Sequence, residues 1–310
     1  MKPGSRRIAL KVDCDTFEGT KTGIPRLLEI FGKAGIRASF FFTLGPDRSG
    51  LAIRRIFTQK GFLKKMLRSN AVSLYGPKTM LYGTLLPAPM IGQGLAAEIR
   101  SVAVAGHEVG VHGWDHVRWH DRLDRLSERE MDHDYRSAHQ TFQSIFGRQA
   151  RASAAPGWHA TPSSLALQES FGLLYASDTR GGSPFFPSAN GRTFKFLEIP
   201  TTLPTWDEAM ADPAIRGKDG LLEFYRGAVI GTEVHTIHTE VEGGAHSPLF
   251  ERQLAMWKAD GCTFLTMEEL ANETLLDRAS VPAAGIERVT IPNRGGFVTS
   301  RVPGHASVHP

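Results

Sequence analysis

Cysteine is nearly absent from this 310-residue chain: Cys14 and Cys262 are the only two, and no CxxC motif pairs them. A disulfide framework is excluded at this length, and two free thiols are expected. Long apolar runs are missing too. The longest charge-free window, 79–97, is interrupted by Pro87, Pro89 and three glycines, so it does not read as a spanning helix. The basic residues 1–7 are followed by only a short apolar run before Asp13 and Asp15, too short for the core of a secretion signal. The third absence is of acid. No Asp or Glu lies between Asp47 and Glu98, while that stretch carries Arg48, Arg54, Arg55, Lys60, Lys64, Lys65, Arg68 and Lys78. The stretch holds +8, the whole chain +4, and the remainder therefore −4. Charge focused in this way does not fit a uniformly basic nucleic-acid binder, and no nucleic-acid partner is expected.

What is present fits a globular enzyme. Hydrophobic residues make up 41% and charged residues 22%, ordinary values for a chain with a buried core. Short apolar runs at 7–12, 36–44, 108–112, 150–155, 173–177, 196–200, 234–238 and 262–265 read as strands. Between them lie helical patterns at 24–34, 98–105, 127–146, 162–171, 221–230, 248–259 and 267–276. Ser127 with Glu130 forms a capping box at one helix start. Strands alternating with helices imply a parallel β/α architecture, here a closed or nearly closed barrel in a single domain over 1–277. Residues 48–97 interrupt the pattern as an insertion. Beyond Asp277 periodicity fades, and 278–310 is expected to be a loosely ordered tail.

Chemistry concentrates at expected strand ends. Asp13-x-Asp15 follows the first strand and His112-Gly-Trp-Asp-His116 the third. Two histidines four apart on a helical turn point the same way and can share one cation. One carboxylate completes a two-His, one-carboxylate site that Zn, Mn, Co or Fe would accept, leaving the second carboxylate as a base. Asp178 and His238 also end strands, and in a parallel barrel all such ends meet at one face. A histidine there can protonate a leaving amine, with a nearby carboxylate raising its pKa. Strand alternation turns His235 away from His238, which favours His238 for the role.

Along residues 7–275 this set resembles the NodB-type polysaccharide deacetylase family. The resemblance implies a distorted (β/α)7 barrel, α/β in class, with the basic amphipathic segment as an insertion. It implies Asp13 as base, Asp15, His112 and His116 as ligands of one divalent metal ion, His238 as general acid and Asp178 as its tuning carboxylate. Asp115 stands where the family's H-x3-[ST]-H motif has Ser or Thr. In R-x-P-x-G the arginine that orients the base is replaced by Ser153, and Arg180 is the expected substitute. The strings VDCDTFEGTKTGIPRLLEI, EVGVHGWDH, SAAPGW, SDTRG, IPTTLPTWDE and TIHTEVEG are similar to one branch of the family. That branch deformylates a polyprenyl-phosphate-linked amino sugar, and Ser153 is typical of it. Arg180, Trp158, Trp206 and Glu242 are expected at the substrate, and a backbone N–H near 156–158 at the oxyanion.

Residues 51–70 pair apolar Phe62, Leu63, Met66 and Leu67 with basic neighbours, as an element lying in a membrane interface does. Arg54, Arg55, Phe62, Lys64, Lys65 and Arg68 are therefore expected to contact an anionic membrane surface. The protein is expected to be peripheral at the cytoplasmic face of a bacterial inner membrane. Two other readings remain: an N-deacetylase of another amino-sugar or cell-wall substrate, and a non-catalytic lipid-carrier binding protein.

Overall fold

The computed structural model describes residues 6–54 and 78–302, without the side chains of 53 and 54. Arg55, Phe62, Lys64, Lys65 and Arg68, and the side chain of Arg54, lie outside the described residues.

The described residues form twelve strands: β1 (Arg7–Cys14), β2 (Ser39–Phe42), β3 (Glu108–Val111), β4 (Ala152–Ser153), β5 (Tyr175–Ala176), β6 (Phe186–Ala189), β7 (Arg192–Thr193), β8 (Leu197–Glu198), β9 (Thr232–His238), β10 (Thr263–Leu265), β11 (Ala283–Val289) and β12 (Val298–Arg301). In the main sheet β1, β2, β3, β4, β5 and β8 follow one another in parallel, and β9 and β10 both pair with β1. Beyond β8, the Thr202 and Leu203 N–H groups donate to the Val234 carbonyl (3.1 Å each). This brings the last strand segment back to β9 and curls the sheet. The eighth strand, β10, adds three residues that pair only with Arg7–Ala9.

The helices between strands start and stop where local chemistry dictates. The helix Phe17–Ala34 begins at Thr16, whose side chain accepts from the Gly19 N–H, and ends at Gly35 in the left-handed region (φ 64°). The Ser127–Glu130 capping box forms as expected. Thr161 and Thr266 cap the helices Pro162–Ser170 and Met267–Leu275 in the same way. Outside the curled sheet the helices cover a core that includes Ile8, Leu10, Val12, Phe31, Phe40, Phe42 and Trp257. Ala9, Phe41, Ala152, Tyr175, Leu197, Val234 and Leu265 form a second cluster. Ala9 and Leu10 fall in different clusters because alternate residues of a strand face opposite sides.

The tail departs from expectation. Residues 283–289 and 298–301 are strands of a second sheet, ordered β12-β11-β6-β7, rather than a loose extension. Pairing with β6 satisfies backbone groups that would otherwise be left open, and Val298 and Thr299 are buried. Four short strands separated by Gly, Pro and Asn carry too little periodicity to be read from sequence.

Candidate active site

Parallel register assembles the site. Asp13 of β1 lies beside His238 of β9, and the Thr239 N–H donates to the Asp13 carbonyl at 3.2 Å. Asp15 follows β1 directly, and His112 follows β3, its N–H still donating to Phe42 of β2 at 2.8 Å. His112 and His116 do not share a helical turn. A loop with Gly113 at φ 91° separates them, and His116 opens the helix His116–Arg122. Asp115 caps that helix, its carboxylate accepting from the Arg118 N–H at 2.9 Å and from Arg48 at 2.7 Å. Asp, Ser and Thr are all good helix caps, which explains why Asp115 can replace the usual hydroxyl residue.

Three side chains converge there. His112 Nε2 lies 3.2 Å from Asp15 Oδ1 and His116 Nε2 lies 3.4 Å from Asp15 Oδ2. One ligand atom from each residue falls within 4.8 Å of the others. Asp15 Oδ1 is buried without a hydrogen-bond partner of good geometry, as are Asp13 Oδ1 and His112 Nδ1. Buried polar atoms left in this way are uncommon and point to a missing partner. Two imidazoles and a carboxylate are a donor set that a divalent cation accepts. Burial pushes the Asp15 carboxyl up, but His116, His112 and His238 outweigh it and hold it well below the usual carboxylate range.

Around this group the site is acidic. Glu240 accepts from the Thr16 N–H (2.8 Å) and hydroxyl (2.7 Å), and burial with the nearby Asp15 charge pushes its carboxyl up to about 7. Glu242 accepts from the His238 N–H at 2.8 Å, and burial pushes it to about 7 as well. Its other oxygen is buried without a partner. Burial pulls the His238 imidazole down, but Asp15, Glu242, Asp13 and Asp207 together hold it above its ordinary value. His235 points elsewhere, packing against Tyr225 and Trp257, where burial lowers it to about 3.

Two expected site residues find other partners. Asp178 bonds elsewhere than to His238. Its oxygens accept from the Ala155 N–H (2.7 Å) and from Gln168 (2.5 Å), and burial pushes its carboxyl up to about 6. Arg180 does not reach Asp13 either: both its terminal nitrogens donate to Glu208 at 2.9 Å. The cation on Asp13 is Lys11, with Nζ 3.0 Å from Oδ2.

The expected substrate residues are mostly inside the protein. Trp206 is buried, with Nε1 donating to Gln253 at 2.8 Å. Trp158 is buried at a left-handed φ of 57°, donates to Thr201 at 3.0 Å, and is flanked by Lys11, Arg180 and Arg294. Its backbone N–H donates to the Ala155 carbonyl at 3.1 Å, so among the N–H groups near 156–158 this one is already engaged. Glu242 is buried against the His238 backbone. The sequence reading places 240–243 at the sugar pocket and gives Lys11, inside the 7–12 strand, no role. The i, i+2 spacing of Lys11 and Asp13 was the available signal, since it puts both on one strand face.

The polysaccharide deacetylase family profile matches residues 2–176. The Shewanella sediminis protein named 4-deoxy-4-formamido-L-arabinose-phosphoundecaprenol deformylase ArnD is 38% identical over 300 residues, covering 94% of each chain. Its namesake from Wigglesworthia glossinidia brevipalpis is 33% identical, covering 90% of this chain and 97% of its own. Among solved structures, a polysaccharide deacetylase of Mycobacterium smegmatis superposes with a TM-score of 0.61 at 17% identity, over 94% of this chain and 96% of its own. Puue allantoinase also gives 0.61, at 14% identity, over 89% and 93%. At such identities these two show a shared fold. The sequence relatives and the matched profile together place this chain in the polysaccharide deacetylase family.

Proposed function

We propose that the chain hydrolyses the N-formyl group of a polyprenyl-phosphate-linked 4-deoxy-4-formamido-L-arabinose, releasing formate and the 4-amino sugar lipid. The observation that carries this reading is the juxtaposition of Asp13, the Asp15–His112–His116 group and His238 at one sheet rim, in a chain 38% identical to a named deformylase over nearly its whole length.

Asp15, His112 and His116 would hold one divalent cation, which supplies Lewis acidity that acidifies water and polarises the formyl carbonyl. Zn, Mn, Co and Fe all suit this donor set. Asp13 accepts the proton of the attacking water through its unpartnered Oδ1. His238, held above its ordinary value by Asp15, Glu242, Asp13 and Asp207, donates a proton to the sugar nitrogen as the C–N bond breaks. The water oxygen ends in formate and the amine leaves.

A polyprenyl substrate requires an enzyme at the bilayer surface. No helix among the described residues is long and apolar enough to cross a membrane. The acid-free, basic stretch 48–97 supports peripheral docking on anionic lipid. Exposed Leu85 and Leu86, which lie in that stretch, fit the same role.

The test is mass-spectrometric deformylation of the lipid-linked formamido sugar by wild type, Asp13→Asn and His238→Ala. Loss of 28 mass units, the formyl carbonyl, in wild type but in neither variant is expected from the stoichiometry of amide hydrolysis, at roughly 10²-fold or greater discrimination. A wild type that binds the lipid but never turns it over would leave a carrier-binding protein instead.

A further inference from the structure

We propose that Lys11 is the positioning residue for Asp13, taking the place of the arginine that Ser153 replaces. The inference rests on reading Asp13 as the base. Lys11 and Asp13 are two residues apart on β1, so both side chains leave the same strand face. Lys11 is fully buried, Asp13 is 3% exposed, and Nζ donates to Oδ2 at 3.0 Å. A charge-assisted bond of that kind is directional enough to fix which way a carboxylate turns.

The arrangement divides the two oxygens of Asp13. Oδ2 is held by Lys11, while Oδ1 has no hydrogen-bond partner and faces the His112 ring, 3.8 Å from Nδ1. The free oxygen is therefore the one turned toward the histidine of the cation group. Lys11 is itself confined: its ammonium lies 5.1 Å from the Trp158 ring centroid and 5.9 Å from that of Phe41. That confinement matters because a lysine, unlike an arginine, has a flexible stem and no fixed fork.

The other cations near this wall are committed elsewhere. Arg180 and Arg294 both donate to Glu208. Ser153, buried in β4, has a hydroxyl and no charge. Among the described residues, Lys11 is the Lys or Arg paired with Asp13. A buried lysine beneath a catalytic carboxylate is costly to retain without that pairing, so its presence in the strand needs the aspartate as much as the aspartate needs it.

The experiment is a double-mutant cycle on the full chain, Lys11→Gln and Asp13→Asn singly and together, with Lys11→Arg as the conservative variant. Turnover of the lipid-linked formamido sugar, bound metal per chain and thermal midpoint are all measured. Lys11→Gln should lower kcat by about 10²-fold, the scale of a misplaced catalytic group. Metal content and KM should stay close to wild type. In the Asp13→Asn background the same change should cost little further, and Lys11→Arg should recover most of the loss. Equal losses in both backgrounds, or wild-type kcat in Lys11→Gln, would overturn the proposal. If Lys11→Gln does not fold, Lys11→Arg decides: near-wild-type kcat supports positioning by charge, and loss of kcat in a folded, metal-replete Lys11→Arg overturns it. A wild type without turnover would instead refute the proposed function.

Discussion

A Cβ placed on Gly23 would stand 2.2 Å from the carbonyl oxygen of Thr239, the residue that follows His238. The helix Phe17–Ala34 thus lies directly against the end of β9, and a Cβ on Gly243 would in turn come within 2.9 Å of the Gly23 Cα. Two glycines let the helix approach the end of β9, where His238 stands, and the segment after it that carries Glu242. Backbone on both sides cannot yield as a flexible side chain does, so added volume there must move the loop.

Gly23→Ala should therefore destabilise the fold by about 1–3 kcal/mol and lower kcat through displacement of His238. Urea denaturation and steady-state kinetics check this; a variant with unchanged stability and kcat would show that the contact is not tight.

Chelation should remove both activity and stability. The Asp15–His112–His116 group brings one ligand atom from each residue within 4.8 Å of the others, and Asp15 Oδ1 is buried without a hydrogen-bond partner. A cation at about 100 times its Kd adds about 2.7 kcal/mol to the folded state. The thermal midpoint should fall on dialysis against a chelator and recover with Zn, Mn, Co or Fe(II). His116→Ala should abolish that response, as metal analysis and calorimetry would show.

His238→Ala should lower kcat by about 10²–10⁴-fold, the usual contribution of a general acid, while metal content holds. Asp178→Asn should behave differently. Its partners are Ala155 and Gln168 rather than His238, and an amide can retain the Ala155 contact. Its kcat loss should be much the smaller of the two, and kinetics of the pair decide. A loss equal to that of His238→Ala would restore Asp178 to the role the family pattern implies.

The fold itself should weaken in mild acid through histidines remote from the cation group. Burial lowers His139 to about 4, and burial with the Arg37 charge does the same to His107, both from an ordinary 6.5. His107 Nδ1 also accepts from the Ala38 N–H at 3.1 Å, a bond that only the unprotonated nitrogen can make. The unfolded chain then binds protons that the folded chain excludes. The stability from this source is complete above about pH 6.5 and is lost as pH falls toward 4. Urea midpoints across that window should drop for wild type and drop less steeply for His139→Leu, whose side chain cannot titrate. Parallel slopes would count against the assignment.

Periodicity alone sufficed for the alternation of strands and helices, because strand and helix periods and helix caps are local properties. The Ser127 capping box and the strand ending at His238 formed as their residues dictate. Asp15, His112 and His116 were recognisable because ligand chemistry restricts residue type. Pairing partners were not recognisable. That Asp13 takes Lys11 and leaves Arg180 to Glu208, that Asp178 turns to Gln168 while Glu242 lies against His238, and that 283–301 returns to β6 are outcomes of which side chains meet across the curled sheet. Short-range pattern specifies which face a residue occupies. The distances that decide between two charged neighbours on that face arise only when the strands close, since the energy of a buried pair depends on geometry that no single segment contains.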